Sequence, residues 1–169
     1  QLRKAFFDIE NDTREYGDFP DPEIAPSPVV SISLYVEHIH KLVFYALDTP
    51  ANESMQEFFK TNPIDTFMAK FKEDKELQEV LEKLGVSFDE WLDTLDLQVK
   101  SFKDESALIR QFFLDTEAFD IDYLGAWNLS FDIQTLVNRY KKLNGLQNAS
   151  DAKYAQHIKI NDLPPRHFF

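Results

Sequence analysis

The sequence predicts an α/β domain, a mixed β-sheet flanked by helices. Three observations carry that prediction. The apolar segments come in the order of three strands, then helix, strand, helix, strand, helix. Val29 to Val36 alternates with period two, whereas Leu77, Val80, Leu81 and Leu84 follow the i, i+3, i+4, i+7 spacing of an amphipathic helix. A chain of 169 residues, 43% hydrophobic and with 16 Phe, is long enough for one domain with a sizeable, aromatic-rich core.

The first strand is expected at about residues 3–10, where Ala5-Phe6-Phe7 runs into Asp8-Ile9-Glu10. A loop rich in Asp, Gly and Pro follows from Asn11 to Pro28. Val29 to Val36 forms the second strand, with Val30, Ile32, Leu34 and Val36 on one face. A short turn at Glu37–Ile39 returns the chain into a third strand, His40 to Leu47, as an antiparallel hairpin. From Asn52 to Leu95 the pattern becomes helical. Ser54-x-x-Glu57 and Ser87-x-x-Glu90 have the form of capping boxes, and Gly85 stands where a C′ glycine ends a helix. Leu97 to Phe102 reads as a strand, and Asp104 starts a helix with Leu108, Ile109, Phe112 and Phe113 on one face. Tyr123 to Trp127 is a short apolar strand. The last helix runs from Phe131 to Leu143 with Ser130 as its N-cap and Ile133, Leu136, Val137 and Tyr140 facing inward. Beyond Asn144 periodicity is weak, although Ile158 to Ile160 reads as one more short strand before Pro164-Pro165.

Composition removes several classes of function. Cysteine is absent, which excludes a disulfide framework and a thiolate zinc site. No apolar run reaches the length of a membrane span, and no signal-peptide pattern is visible, so a cytoplasmic location is expected. The Asn-x-Ser triplets at Asn52, Asn128 and Asn148 mean nothing without secretion. A net charge of −12 argues against a broad electrostatic grip on duplex nucleic acid, which works by neutralising many phosphates. It leaves room for a narrow site in which bound metal ions supply the positive charge. The chain begins with Gln1 almost directly on a core strand, as expected of a piece of something longer.

The candidate site residues are carboxylates. Asp8 and Glu10 are two apart on a strand, so they point to the same face. Unpaired carboxylates are costly to bury, and a strand that carries them inward usually carries them for a cation. Hard divalent ions such as Mg²⁺ and Mn²⁺ prefer such oxygen ligands. The same spacing recurs at Asp21/Glu23, Asp74/Glu76 and Asp115/Glu117, as chance allows with 30 acidic residues. Those pairs fall in a loop, at a helix start and at a helix end, the last two expected to be solvated. Two readings of Asp8/Glu10 therefore stand side by side, a metal site and an ordinary polar strand end. The second segment is Trp127-Asn128-Leu129-Ser130-Phe131-Asp132, where a strand ends and a helix begins with a carboxylate in its first turn. The helix dipole there favours the ionised form of Asp132. Strand ends beside helix N-termini are where open α/β sheets place ligands. Asp132 as a simple helix starter fits equally.

Taken together, Asp8-Ile9-Glu10 and Asn128-Leu129-Ser130-Phe131-Asp132 resemble the first two exonuclease motifs of the family B DNA polymerases. Their order agrees, with Asp132 lying 124 residues after Asp8 (132 − 8). The loop Gly17-Asp18-Phe19-Pro20-Asp21-Pro22 resembles that of tailed-phage replicative polymerases. Ser101 to Leu108 and Leu136-Val137-Asn138-Arg139 resemble the segments that flank the second motif. The resemblance covers roughly residues 3–50 and 97–145, with a helical insert at about 51–96. It implies a ribonuclease H-like fold and removal of 3′-terminal nucleotides from single-stranded DNA during proofreading. It also implies two divalent ions, Mg²⁺ or Mn²⁺, roughly 3.5–4 Å apart. Asp8 would bridge both ions, Glu10 would help hold the first, and Asp132 would hold the second largely through water. Asn128 and Phe131 would position the DNA strand. The partners implied are a single-stranded DNA 3′ end and the remaining domains of the parent polymerase. The location implied is the cytoplasm, the host's if the gene belongs to a phage.

The family's third motif, Tyr-x-x-x-Asp, does not occur: Tyr140 and Tyr154 are followed four places on by Asn144 and Ile158. Only 37 residues (169 − 132) follow Asp132, so residues 1–169 are expected to form a partial domain that ends before this motif, with no polymerase domain and little activity alone. An alternative is the histidine-type branch of these exonucleases, a standalone DNA or RNA nuclease using His157 and Asp162. Another is a non-catalytic interaction domain. His38-x-His40 is read as part of the hairpin turn rather than as a metal ligand pair.

Overall fold

The structure, a computed structural model, describes residues 2–15, 20–48, 69 and 72–146. Strand β1 spans Lys4–Asn11, β2 Val29–Val36 and β3 Lys41–Leu47, with a single 3₁₀ turn, Glu37–Ile39, between β2 and β3. Helices α1 (Lys75–Leu84) and α2 (Phe88–Asp93) lead into β4 (Asp96–Phe102). Helix α3 (Glu105–Ala118), β5 (Tyr123–Ala126) and α4 (Leu129–Leu143) complete the described elements. The five strands form one mixed sheet in the order β4-β3-β2-β1-β5. The pairs β1/β2 and β2/β3 are antiparallel, whereas β1/β5 and β3/β4 are parallel. The α/β prediction of a mixed sheet flanked by helices therefore holds.

The core lies between one face of this sheet and helices α3 and α4. Phe7, Ile9, Ile32, Leu34, Val43 and Tyr45 meet Leu108, Ile109, Phe112, Leu136 and Tyr140 there. Phe112 sits at its centre, with ring centroids 5.1 Å from Phe7 and from Phe113 and 5.9 Å from Tyr45. Ile133 and Val137 pack partly buried against this core. Val29, not Val30, is buried, because the β1/β2 register shifts at Glu10/Asn11 and brings Asn11 opposite Val29. A one-residue shift exchanges the two faces of a strand.

Helix ends follow the expected chemistry with one exception. Asp74, Ser87 and Asp104 each accept a hydrogen bond from a backbone N–H three residues on, those of Leu77, Glu90 and Ala107. Gly85 takes the left-handed conformation, φ 68°, that ends α1. Helix α4, by contrast, starts two residues earlier than expected. Asn128 occupies the N-cap position without a side-chain cap bond, and Ser130 lies within the first turn. The stripe on α1 is only partly used, since Leu81 is buried while Val80 and Leu84 are exposed. The capping box at Ser54, the strand at Ile158 and most of the insert lie outside the described residues. No helix among the described residues is long and apolar enough to cross a membrane.

Two buried polar clusters hold the layers in place. Asp115, expected to be solvated, is buried instead and accepts hydrogen bonds from Tyr45 Oη (2.7 Å), Lys100 Nζ (2.6 Å) and Gln111 Nε2 (2.8 Å). The helix end that carries it packs on β3 and β4, and burial together with this carboxylate pushes the Tyr45 phenol well above its ordinary value. In the second cluster Arg139 of α4 donates to both oxygens of Glu105 of α3, at 2.7 and 2.8 Å. Glu105 also accepts from the backbone N–H of Val29 at 2.8 Å. Arg139 Nη1 donates to the carbonyls of Pro26 (2.9 Å) and Ala25 (3.3 Å). The loop after β1 is thereby tied to both helices.

Candidate functional site

Alternation along β1 divides its residues between two faces. Ala5, Phe7 and Ile9 are buried against the helices, while Phe6, Asp8 and Glu10 project from the opposite, exposed face. Asp8 and Glu10 therefore share a face as their spacing requires, but that face is not the hydrophobic core. This corrects the expectation of an inward-facing pair. They stand opposite Ser33 and Ser31 of β2.

Strand β5 is short, and this creates the site's opening. Its pairing with β1 ends at Phe7↔Ala126. From Asp8 onward β1 has no neighbour on that side among the described residues. The chain turns at Trp127 and Asn128, and α4 begins at Leu129. Asp132 lies in the first turn of α4, its backbone N–H donating to the Asn128 carbonyl at 3.0 Å. A parallel strand end followed by a helix N-terminus is the arrangement at which α/β sheets collect ligands.

Asp132 is the unusual residue. It is only 4% exposed, and its Oδ2 is buried without a hydrogen-bond partner among the described residues. Burial first, and then the nearby charge of Asp8, push its carboxyl up from 3.8 to about 6. A backbone hydrogen bond from Asn128 acts the other way but does not prevail. The helix dipole was expected to favour the charged form; desolvation and Asp8 outweigh it. A buried carboxylate oxygen without a partner, beside a second carboxylate, is a donor set suited to a hard divalent cation.

The structure thus brings Asp8 and Asp132 within electrostatic reach across 124 residues (132 − 8) of sequence. Glu10 is exposed on the same face as Asp8. Among the described residues, however, no group of three or more His, Asp and Glu side chains is arranged to hold a metal ion. Asn128 is exposed at the N-cap of α4, and Phe131 is half-buried against the core. Trp127, read from the sequence as the end of a strand, is instead fully exposed immediately before Asn128. The available signal was its place next to the turn-forming Asn128. His38 lies in the 3₁₀ turn and His40 closes it in the left-handed conformation (φ 47°), as the hairpin reading required. His157 and Asp162 lie outside the described residues.

Comparison with known proteins agrees with the family resemblance. The family model for the DNA polymerase family B, exonuclease domain, matches residues 1–163. No curated protein matches the chain.

Proposed function

Because the chain belongs to the exonuclease domains of the family B DNA polymerases, whose members are metal-dependent 3′–5′ nucleases, we propose that Asp8, Glu10 and Asp132 are its metal-binding carboxylates. The observation that carries this reading is the Oδ2 of Asp132, buried near the Asp8 charge with no hydrogen-bond partner among the described residues. Asp8 at the open end of β1 and Asp132 in the first turn of α4 would hold the cation, with Glu10, on the same face of β1 as Asp8, as the third ligand. Mg²⁺ or Mn²⁺ is the ion that fits all-oxygen ligands. When bound, such ions offset the charge of a scissile phosphate and make a bound water acidic enough to act as nucleophile. Asp132 then remains deprotonated, since a cation favours the carboxylate that burial disfavours. Asn128 and Phe131 orient the 3′ end of a single DNA strand, Asn128 by hydrogen bonds and Phe131 by apolar contact. Hydrolysis of 3′-terminal nucleotides in this site is proofreading for the polymerising domains of the parent enzyme, a cytoplasmic protein.

A Mn²⁺ titration of the 169-residue chain tests the ligand assignment. Binding is expected for the native chain and is lost in Asp8→Ala and in Asp132→Ala. Binding that survives both substitutions refutes the assignment. In the parent polymerase, Asp8→Ala is expected to abolish shortening of a labelled single strand from its 3′ end while leaving DNA synthesis intact.

A further inference from the structure

We propose that Phe6, Tyr123 and Trp127 form an aromatic platform beside Asp8 that stacks on unpaired bases of the DNA strand entering the site. The inference rests on the reading of Asp8 and Asp132 as the hydrolytic site. All three side chains are exposed: Phe6 by 45%, Tyr123 by 39% and Trp127 by 100%. Phe6 lies two residues before Asp8, on the same face of β1. Its partner across the sheet is Gly125 of β5, and Tyr123 lies two residues before Gly125 on that same face. Trp127 leaves β5 directly after Ala126, the partner of Phe7, so it departs the sheet level with Asp8.

The arrangement is built around a glycine. A Cβ at position 125 would stand 3.0 and 3.2 Å from two ring carbons of Phe6 and 3.1 Å from one of Tyr123. With hydrogen there instead, both rings settle against the backbone at a centroid separation of 6.5 Å, edge to face. Folding gains nothing from a fully exposed Trp127, and little from two rings left about 40% exposed.

Charge explains what the rings are suited to. A net charge of −12 argues against a broad electrostatic grip on phosphates. On the exposed face of β1 the cation is Lys4, which is 3.9 Å from Glu37. Beyond the metal ions, contacts to bases can then supply affinity for a polyanion, and base–aromatic stacking tolerates any sequence. Stacking needs free base faces, which a frayed 3′ end offers and a duplex does not. Continuity with the carboxylate site favours this occupant over a protein surface.

The test reads Trp127 fluorescence. The chain has two Trp, so Trp91→Phe leaves Trp127 as the sole reporter. With metal removed by EDTA, a single-stranded oligonucleotide is expected to quench it, whereas an abasic strand of equal length and a blunt duplex do not. Trp127→Ala in the otherwise native chain, and Phe6→Ala separately, are expected to weaken binding of a labelled oligonucleotide at least about fivefold. Ile24→Ala, a similarly exposed apolar residue away from β1 and β5, leaves it unchanged. Binding seen by anisotropy with no quenching and no loss in Trp127→Ala overturns the platform and leaves the carboxylate reading standing. Absence of both oligonucleotide binding and Mn²⁺ binding overturns that reading and the platform with it. Self-association abolished by Trp127→Ala, with no quenching by single strands, overturns the proposal in favour of an interface between copies.

Discussion

Asp132→Asn removes one charge from the first turn of α4 and changes almost nothing in shape, so its effect isolates the electrostatics of the site. In the folded chain Asp132 keeps its proton up to about pH 6, against 3.8 ordinarily. Between these values the folded state binds more protons than the unfolded state, so stability falls as pH rises through that window. Above it the gap corresponds to a penalty of about 3 kcal/mol. Asparagine escapes that penalty but buries an amide without a partner, at a cost of about 1 kcal/mol. The net expectation is a gain of about 1–2 kcal/mol near pH 7.5. The pH-dependent part is independent of the amide: the advantage of the variant should grow by about 2 kcal/mol between pH 4.5 and 7.5. Urea unfolding with EDTA present, at both pH values, measures it. Asp8→Asn should recover a smaller share, because burial is the larger cause and the Asp8 charge the lesser one. Adding Mn²⁺ should then stabilise the native chain and not Asp132→Asn. A variant less stable than the native chain at pH 7.5, or a difference that does not change with pH, refutes the argument that Asp132 is a strained, desolvated carboxylate.

Two further perturbations test the scaffold. Arg139→Ala strands the Glu105 carboxylate, with both side chains about 10% exposed, and releases the Ala25 and Pro26 carbonyls. A loss of about 3–5 kcal/mol is expected in urea unfolding, and a loss below 1 kcal/mol would place this pair with ordinary surface bridges. Gly125→Ala pushes a methyl group against the Phe6 and Tyr123 rings and should cost about 1 kcal/mol. Since the half-exposed Phe6 ring is the nearest obstacle, Phe6→Ala in the same chain should remove most of that cost; a purely additive double mutant contradicts the close-packing account.

Most of the fold was legible because its signals are local. Period-two alternation placed β2 at Val29–Val36, and the turn at Glu37–Ile39 came out as read. Leu108, Ile109, Phe112 and Phe113 are all buried on α3 as their spacing required. What failed needed knowledge of distant partners. Asp115 looked like a solvated helix end, yet Tyr45, 70 positions away, and Lys100 bury it in a satisfied cluster. Ser130 has a capping side chain, but the length of β5 decided that α4 begins at Leu129. Val80 and Leu84 have the periodicity of a core face on a helix that buries only Leu81.

The candidate site divides in the same way. Residue order alone determined that Asp8 and Glu10 share a face, that Asp132 opens a helix, and that the chain resembles a family B exonuclease domain. Tertiary structure decided which face the pair occupies, that Asp132 is buried while Asp8 is not, and that their charges interact. It also decided that Phe6 and Tyr123 meet over Gly125. The reason is physical. Backbone alternation and capping depend on residues within one turn or one strand, whereas desolvation and charge coupling depend on what the pairing of β1 with β5 brings across 124 residues (132 − 8) of chain.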